Sequence, residues 1–234
     1  MAECPLTDNQ LLKVQSMVQN CLQRGTLEET RLYGLLNETL FFHKCYIEAD
    51  LVVFPQLRIP WKSQSRAQKD TKERRSNVPD FGFGELPRAG GMKLRGGAEL
   101  KAALEFMRTL PDTEEIREEP DFVVKVNDTA LQASDQVKAG IKSGLLPNHK
   151  AIKWIVMVGP YFLIPSFGPY NEKELSARAH RPNESGEASI SEYLAELKKT
   201  TGSRGIEGAI YILGTKAGAI ALHNYLVESA SLRF

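Results

Sequence analysis

The chain has 234 residues and a formal net charge of +1, so attraction to nucleic acid would have to come from a local patch. Its apolar fraction of 42% and charged fraction of 25% are those of an ordinary globular protein, and this length predicts one domain over residues 1–234. No apolar stretch approaches the roughly 20 residues that a membrane-spanning helix needs, which predicts a protein without membrane association.

The beginning of the chain and the cysteines predict an intracellular protein. The first ten residues, MAECPLTDNQ, lack the basic-then-apolar order of a secretory signal. Cys4, Cys21 and Cys45 cannot all pair within one chain, and they lack the C-x-x-C spacing of a zinc site. The expected location is therefore the nucleus or the cytoplasm, where thiols stay reduced.

Two amphipathic helices are predicted first. Thr7 and Asp8 form a helix start, after which apolar residues recur at intervals of three and four as far as Gly25. Thr26 and Glu29 have the spacing of a capping box, which predicts the beginning of a second helix.

The middle of the chain changes from helical to extended patterns. Residues 50–61 predict a strand with a proline bend. Residues 62–77 contain no large apolar residue and six Lys or Arg in sixteen positions, which predicts a mobile basic loop. This loop is a candidate patch for nucleic acid, a solvated loop or a nuclear-import signal. Strand-like runs at 78–86 and 92–100, separated by PRAGG, predict a β-hairpin.

The remaining pattern predicts an α/β protein that borders on α+β. The predicted elements are a short helix over 104–110, an acidic loop over 112–121, a helix over 130–142, a buried strand over 152–158, a returning strand over 161–167, a helix over 189–199, a strand over 209–213 and a helix over 216–229.

The residues that carry chemistry lie on the predicted hairpin. Asp80 lies in V-P-D-F, and Glu99 and Lys101 lie in A-E-L-K after the turn. Two carboxylates and a backbone carbonyl are hard oxygen ligands suited to Mg²⁺. Lys101, on the same strand face as Glu99, can hold or deprotonate a water beside a phosphate. The pattern therefore indicates phosphodiester hydrolysis.

These motifs resemble the PD-(D/E)XK, or restriction-endonuclease-like, nuclease superfamily, and more narrowly uncharacterised fungal proteins with such a domain. LRGGAELKAA, QASDQVKAGIK and KWIVMVGPYF follow one another in the order that the family uses. The resemblance covers about residues 30–165. It implies an αβββαβ core, with a mixed sheet flanked by helices, N- and C-terminal helical additions and a strand–helix extension over 170–234.

The resemblance also implies roles for individual residues. Asp80 and Glu99 would bind Mg²⁺ or Mn²⁺ with the Leu100 carbonyl as a third ligand, and Lys101 would be the catalytic lysine. Gln136 would be the polar residue that faces the site from the next helix. The implied substrate is nucleic acid, DNA rather than RNA, bound through a local basic patch.

The sequence departs from the family pattern in three places. R-G-G-A at 95–98 stands where the family has bulky apolar residues. The family's acidic residue on the first helix has Glu38 as its first candidate, with Glu29 and Glu48 as alternatives. A helix-like piece and an acidic loop, at about 102–128, precede the helix that carries the glutamine.

Three alternatives stay open. The spacing of the apolar residues after Glu99 also fits a helical face, which would place Glu99 in the first turn of a helix. On the glutamine-bearing helix, Gln132 is a second candidate beside Gln136. Finally, the fold could serve as a non-catalytic binding or protein-interaction module, with a protein partner or a second copy of the chain bound to it.

Overall fold

The computed structural model describes residues 3–23, 27–43, 51–57, 59, 79–86, 91–176 and 209–232. Within them the chain is an α/β protein whose six-stranded mixed sheet is flanked by helices. The basic loop predicted over 62–77 and the helix predicted over 189–199 lie outside the described residues. In the described part of the chain, every helix is too short or too polar to cross a bilayer.

The two N-terminal helices are α1, Asp8–Gln23, and α2, Glu29–Phe42. The predicted beginning of α1 is confirmed, because the Gln10 backbone N–H donates to Thr7 Oγ1 at 3.3 Å. The capping box predicted for α2 is wrong, since Glu28 is the N-cap and Glu29 is the first helical residue. Helix α1 buries a face of leucine and valine in the main core, and α2 buries a face of leucine there.

Three successive strands form an antiparallel half of the sheet. They are β1, Val52–Pro55, β2, Phe81–Glu85, and β3, Lys93–Lys101. The predicted hairpin is confirmed, because β2 pairs with β3. Glu99 lies inside β3, so the alternative that placed it in a helix is wrong.

A 3-10 helix, Glu105–Thr109, precedes two α-helices, α3, Thr113–Glu118, and α4, Pro120–Lys142. The acidic loop predicted here is therefore wrong. The Asp112 carboxylate caps α3 by accepting from the backbone N–H groups of Glu114 and Glu115, both at 2.9 Å.

The glutamine-bearing helix α4 begins ten residues earlier than predicted. Pro120 occupies its first turn, where the missing N–H costs no hydrogen bond. Phe122, Val126 and Ala130 then recur at intervals of four along its buried face. The departure assigned to about 102–128 therefore contains the 3-10 helix, α3 and the first nine residues of α4.

Four short strands follow: β4, Ile152–Lys153, β5, Ile155–Val158, β6, Tyr161–Leu163, and β7, Ser166–Phe167. The predicted buried strand is confirmed for β5, which lies between β3 and β6 and is buried throughout. The prediction is wrong at its beginning, because β4 pairs with β7 in a separate two-stranded sheet. The two sheets part at Trp154, whose backbone N–H donates to the Pro165 carbonyl at 3.0 Å.

The described chain closes with α5, Glu172–Ser176, β8, Tyr211–Ile212, and α6, Lys216–Ala230. The order of the large sheet is β1-β2-β3-β5-β6-β8. Strands β3 and β5 are parallel, and α4, which connects them, packs against both. This crossover brings the glutamine-bearing helix over the strand that carries Glu99 and Lys101.

A buried histidine at the end of α2 is expected to make stability depend on pH. His43 is 5% exposed, and neither ring nitrogen has a hydrogen-bond partner among the described residues. Its ring lies 6.1 Å from that of His223. Burial, together with His223, lowers the pKa of His43 from 6.5 to about 4. The folded protein therefore resists protonation that the unfolded chain accepts.

We expect His43 by itself to lower the free energy of unfolding by about 3 kcal/mol as the pH drops from about 6.5 to about 4, and the comparison with a variant that lacks this histidine isolates its contribution from that of the carboxylates. Above pH 6.5 His43 is neutral in both states and contributes no slope. Urea unfolding across this range should show a smaller loss for His43→Leu, whereas His149→Leu, at an exposed histidine, should behave like the wild type. Equal slopes for His43→Leu and the wild type would contradict the assignment.

Candidate functional site

The hairpin brings the two predicted carboxylates side by side. Asp80 immediately precedes β2, and the register pairs Phe81 with Ala98, so Asp80 lies beside Glu99 at the same end of the hairpin. Asp80 Oδ2 accepts from the Leu100 backbone N–H at 2.6 Å, which fixes Asp80 against β3. Both Asp80 and Glu99 are buried.

Glu99 is held from two sides. Lys101 Nζ donates to Glu99 Oε1 at 2.9 Å, because residues two apart on a strand share a face. Gln136 Nε2 donates to Glu99 Oε2 at 2.6 Å from helix α4. Lys101 and Gln136, the two residues that the sequence predicted beside Glu99, therefore both donate to its carboxylate.

Helix α2 contributes a residue that the sequence analysis missed. The Tyr33 hydroxyl donates a short hydrogen bond to Asp80 Oδ1 and lies 3.2 Å from Glu29 Oε1. A phenol has one proton to donate, so the carboxylates of Asp80 and Glu29 share a single donor. The i, i+4 spacing of Glu29 and Tyr33 on a helix could have indicated their pairing, but no local pattern links Tyr33 to Asp80.

Glu29 is therefore the acidic residue of the N-terminal helices that approaches the site. Glu38, the first candidate, instead forms an ion pair with Lys13 of α1 at 2.7 Å on the protein surface. Gln132, the second candidate on α4, donates to Asp128 Oδ2 at 3.1 Å. In the described structure neither Glu38 nor Gln132 bonds to Asp80 or Glu99. The remaining acidic candidate, residue 48, lies outside the described residues.

The site holds more negative charge than its burial favours. Burial, and then the neighbouring Asp80 carboxylate, raise the pKa of Glu99 to about 7. Burial also raises the pKa of Asp80, although the hydrogen bonds from Tyr33 and Leu100 partly offset it. For Lys101, burial is the largest effect and opposes the charge, but the charges of Glu99, Glu29 and Asp80 and the hydrogen bond to Glu99 together outweigh it and raise the pKa of the ammonium group. Within the described ranges, Lys101 is the cation that bonds to this pair of buried carboxylates.

The donor set fits a hard divalent cation. Each oxygen of Asp80 and Glu99 accepts a hydrogen bond and keeps a second lone pair. Among the described residues, no group of three or more His, Cys, Asp and Glu side chains has the spacing to hold a metal. Two carboxylates, completed by backbone oxygen and water, are a set that Mg²⁺ commonly accepts.

Comparison of the chain with protein-family models, curated proteins and solved structures gives no match. The chemical assignment of the cluster therefore depends on its own geometry. Four residues from the hairpin and from α4, namely Asp80, Glu99, Lys101 and Gln136, are joined by hydrogen bonds and the backbone of β3.

Proposed function

We propose that this protein is a Mg²⁺- or Mn²⁺-dependent nuclease that hydrolyses phosphodiester bonds in nucleic acid, DNA rather than RNA. The observation that carries the proposal is the convergence of buried Asp80, Glu99 and Gln136 with partly exposed Lys101 in one cluster. Two carboxylates with a lysine on the same strand face are the groups that metal-assisted phosphodiester hydrolysis requires.

The order of elements supports a restriction-endonuclease-like core. Helix α2, strands β1 to β3, helix α4 and strand β5 occur in the order of an αβββαβ unit, with the 3-10 helix and α3 before α4 and strand β4 before β5. The first three strands are antiparallel, and β5 lies parallel to β3 after the α4 crossover. The proposed site lies where β2 begins and β3 ends, beneath the helix that carries Gln136.

Asp80 and Glu99, together with the Leu100 carbonyl, would hold the metal ion. When bound, the ion would supply Lewis-acid stabilisation of the charge that develops on the phosphate oxygens. Gln136 orients Glu99 by donating to Oε2, and Tyr33 orients Asp80 by donating to Oδ1. These two contacts fix the carboxylates before a cation arrives.

Lys101 would act as a charged donor. Its raised pKa keeps the ammonium group protonated at neutral pH. In that state Nζ can donate to an attacking water or to a phosphate oxygen, but it cannot accept a proton. Of the two roles considered for this lysine, holding the water uses this protonated form, whereas deprotonating the water would require the neutral amine.

A second candidate is a nuclease-like module that binds without cutting. It is favoured by the absence of a third metal-holding side chain in the described part of the chain. In that case the Lys101–Glu99–Gln136 contacts would serve to stabilise the fold, and a protein partner or a second copy of the chain would be bound elsewhere. A nuclear or cytoplasmic location is compatible with both candidates and stays a prediction.

Cleavage assays separate the two candidates. Purified protein should nick supercoiled plasmid DNA in the presence of Mg²⁺ or Mn²⁺, and EDTA should stop the reaction, because the carboxylate pair needs a cation to approach a phosphate. Linear duplex DNA, single-stranded DNA and RNA should be tested in parallel to define the substrate. Inactivity on all four substrates, with no calorimetric binding of Mn²⁺, would favour the non-catalytic module.

A further inference from the structure

Helix α2 contacts the carboxylate cluster through Tyr33. The Tyr33 hydroxyl donates a short hydrogen bond to Asp80 Oδ1, while the Leu100 backbone N–H donates to Asp80 Oδ2 at 2.6 Å. Asp80 is thus held on one oxygen by the backbone of β3 and on the other by a side chain of α2. The position of α2 therefore affects the orientation of the Asp80 carboxylate.

The ring of Tyr33 fixes this contact against the hairpin. It packs against Phe81, the residue that follows Asp80, with the ring centroids 5.7 Å apart. Phe81 is buried in the main core, and Tyr33 packs against that core while its side chain stays partly exposed. The hydroxyl is accordingly placed by the packing of α2 on β2 as well as by its hydrogen bond.

A carboxylate on the same helix opposes this contact. Glu29 lies one turn before Tyr33, and Glu29 Oε1 is 3.2 Å from the Tyr33 hydroxyl. The carboxylates of Glu29 and Asp80 therefore flank one hydroxyl group, at a separation where like charges repel each other. Tyr33 holds α2 against the hairpin, and the repulsion between Glu29 and Asp80 pushes the helix away.

We propose that cation binding at Asp80 and the packing of helix α2 against the hairpin are coupled through Tyr33, so that each strengthens the other. The inference rests on the proposed function in one respect, that Asp80 is a metal ligand, and it requires no cleavage. A divalent cation at Asp80 offsets the repulsion from Glu29. The Tyr33 hydrogen bond is compatible with the cation, because each carboxylate oxygen has two lone pairs.

This coupling makes Tyr33 a positioning residue and α2 a regulatory element of the site. The factor by which the packing of α2 tightens cation binding equals the factor by which the cation strengthens that packing, because coupling between two equilibria is reciprocal. Any contact that displaces α2 from the hairpin should therefore lower the affinity for the cation.

Mn²⁺ titrations followed by calorimetry and by amide hydrogen exchange test the coupling. In the wild type, saturating Mn²⁺ should slow amide exchange in α2 more than in α6, whose Tyr225 contacts β3 at Gly97. Tyr33→Phe keeps the ring against Phe81 and removes only the hydroxyl. It should weaken Mn²⁺ binding about tenfold or more, as the loss of a group that orients a metal ligand does. The gain of protection in α2 should shrink with it.

Tyr161→Phe is the matched control. The Tyr161 hydroxyl, on β6, donates to the Pro111 carbonyl at 2.6 Å, so this variant also loses one hydrogen bond but leaves Asp80 untouched. It should bind Mn²⁺ as tightly as the wild type. In a Glu29→Ala background, Tyr33→Phe should still weaken Mn²⁺ binding, because the hydroxyl acts through Asp80.

The outcomes separate the coupling from the nuclease proposal. Wild-type Mn²⁺ affinity in Tyr33→Phe, an effect of Tyr33→Phe that vanishes in the Glu29→Ala background, or equal gains of protection in α2 and α6 would overturn the coupling alone. Mn²⁺ binding with the expected losses but without DNA cleavage would support the coupling and count against the nuclease. A wild-type protein that binds no Mn²⁺ would overturn both.

Discussion

Asp80→Asn, Glu99→Gln and Lys101→Met should each lower metal-dependent DNA cleavage by about 100-fold or more. The two carboxylate substitutions remove a metal ligand, and the lysine substitution removes the only cation that bonds to Glu99 in the described structure. Initial rates of plasmid nicking at fixed Mn²⁺ concentration measure the effect. Cleavage that survives all three substitutions would place the active site elsewhere.

The two amide variants, Asp80→Asn and Glu99→Gln, should remain folded. Burial and mutual repulsion disfavour the charged forms of Asp80 and Glu99, so neutral amides of the same shape should leave the free energy of unfolding within about 1 kcal/mol of the wild type. Glu38→Gln is the matched control, since it neutralises a carboxylate in a surface ion pair with Lys13. It should retain full cleavage activity.

Gly97→Ala should destabilise the protein by about 3 kcal/mol, as overpacking in a filled core does. A Cβ at this position would lie 2.2 Å from Cζ2 of Trp154, which is fully buried and has no room to move. The Tyr225 hydroxyl closes the other side, because it accepts from the Gly97 N–H at 3.0 Å and donates to the Gly97 carbonyl at 3.1 Å. Urea unfolding monitored by circular dichroism measures the loss.

Gly34→Ala is the control for this substitution. Gly34 lies on α2, is exposed, and has nothing within 4 Å of an added Cβ. Alanine there should raise the free energy of unfolding by about 0.5–1 kcal/mol, because glycine is a poor helix former. A Gly97→Ala variant as stable as Gly34→Ala would show that β3 can shift away from Trp154.

The glycine pair at 96–97 is explained by the side chains that pack against it. A Cβ at Gly96 would meet Tyr225 of α6, and a Cβ at Gly97 would meet Trp154. Both aromatic residues are distant in the sequence, so the pattern at 95–98 could not indicate what packs there. The missing apolar volume is supplied by other segments of the chain.

Local patterns predicted the parts of the site that depend on neighbouring residues. The turn signal predicted the hairpin, and the alternation of a strand placed Glu99 and Lys101 on one face. The glutamine at 136 was predicted through the resemblance, and the α4 crossover brings it to Glu99. Each of these features depends on spacing within one element or on the order of elements.

Features that depend on packing between distant segments could not be predicted in this way. Glu29 rather than Glu38 approaches Asp80, because α2 turns its Tyr33 face toward the hairpin and its Glu38 face toward α1. Similarly, the apolar run at 152–158 gave no sign of the break at Trp154, which arises from the pairing of β4 with β7. Both outcomes are set by tertiary contacts.

The proposal that Asp80 and Glu99 bind a divalent cation can be tested with a crystal of the wild-type protein soaked in MnCl₂ and measured for anomalous scattering. We expect one Mn²⁺ peak between the carboxylates of Asp80 and Glu99, with metal–oxygen distances of roughly 2.0–2.6 Å and the two carboxylates within about 5 Å of each other. Crystals of Glu99→Gln should lack this peak. A wild-type crystal with no anomalous density at Asp80 and Glu99, at a Mn²⁺ concentration that supports cleavage, would contradict the account.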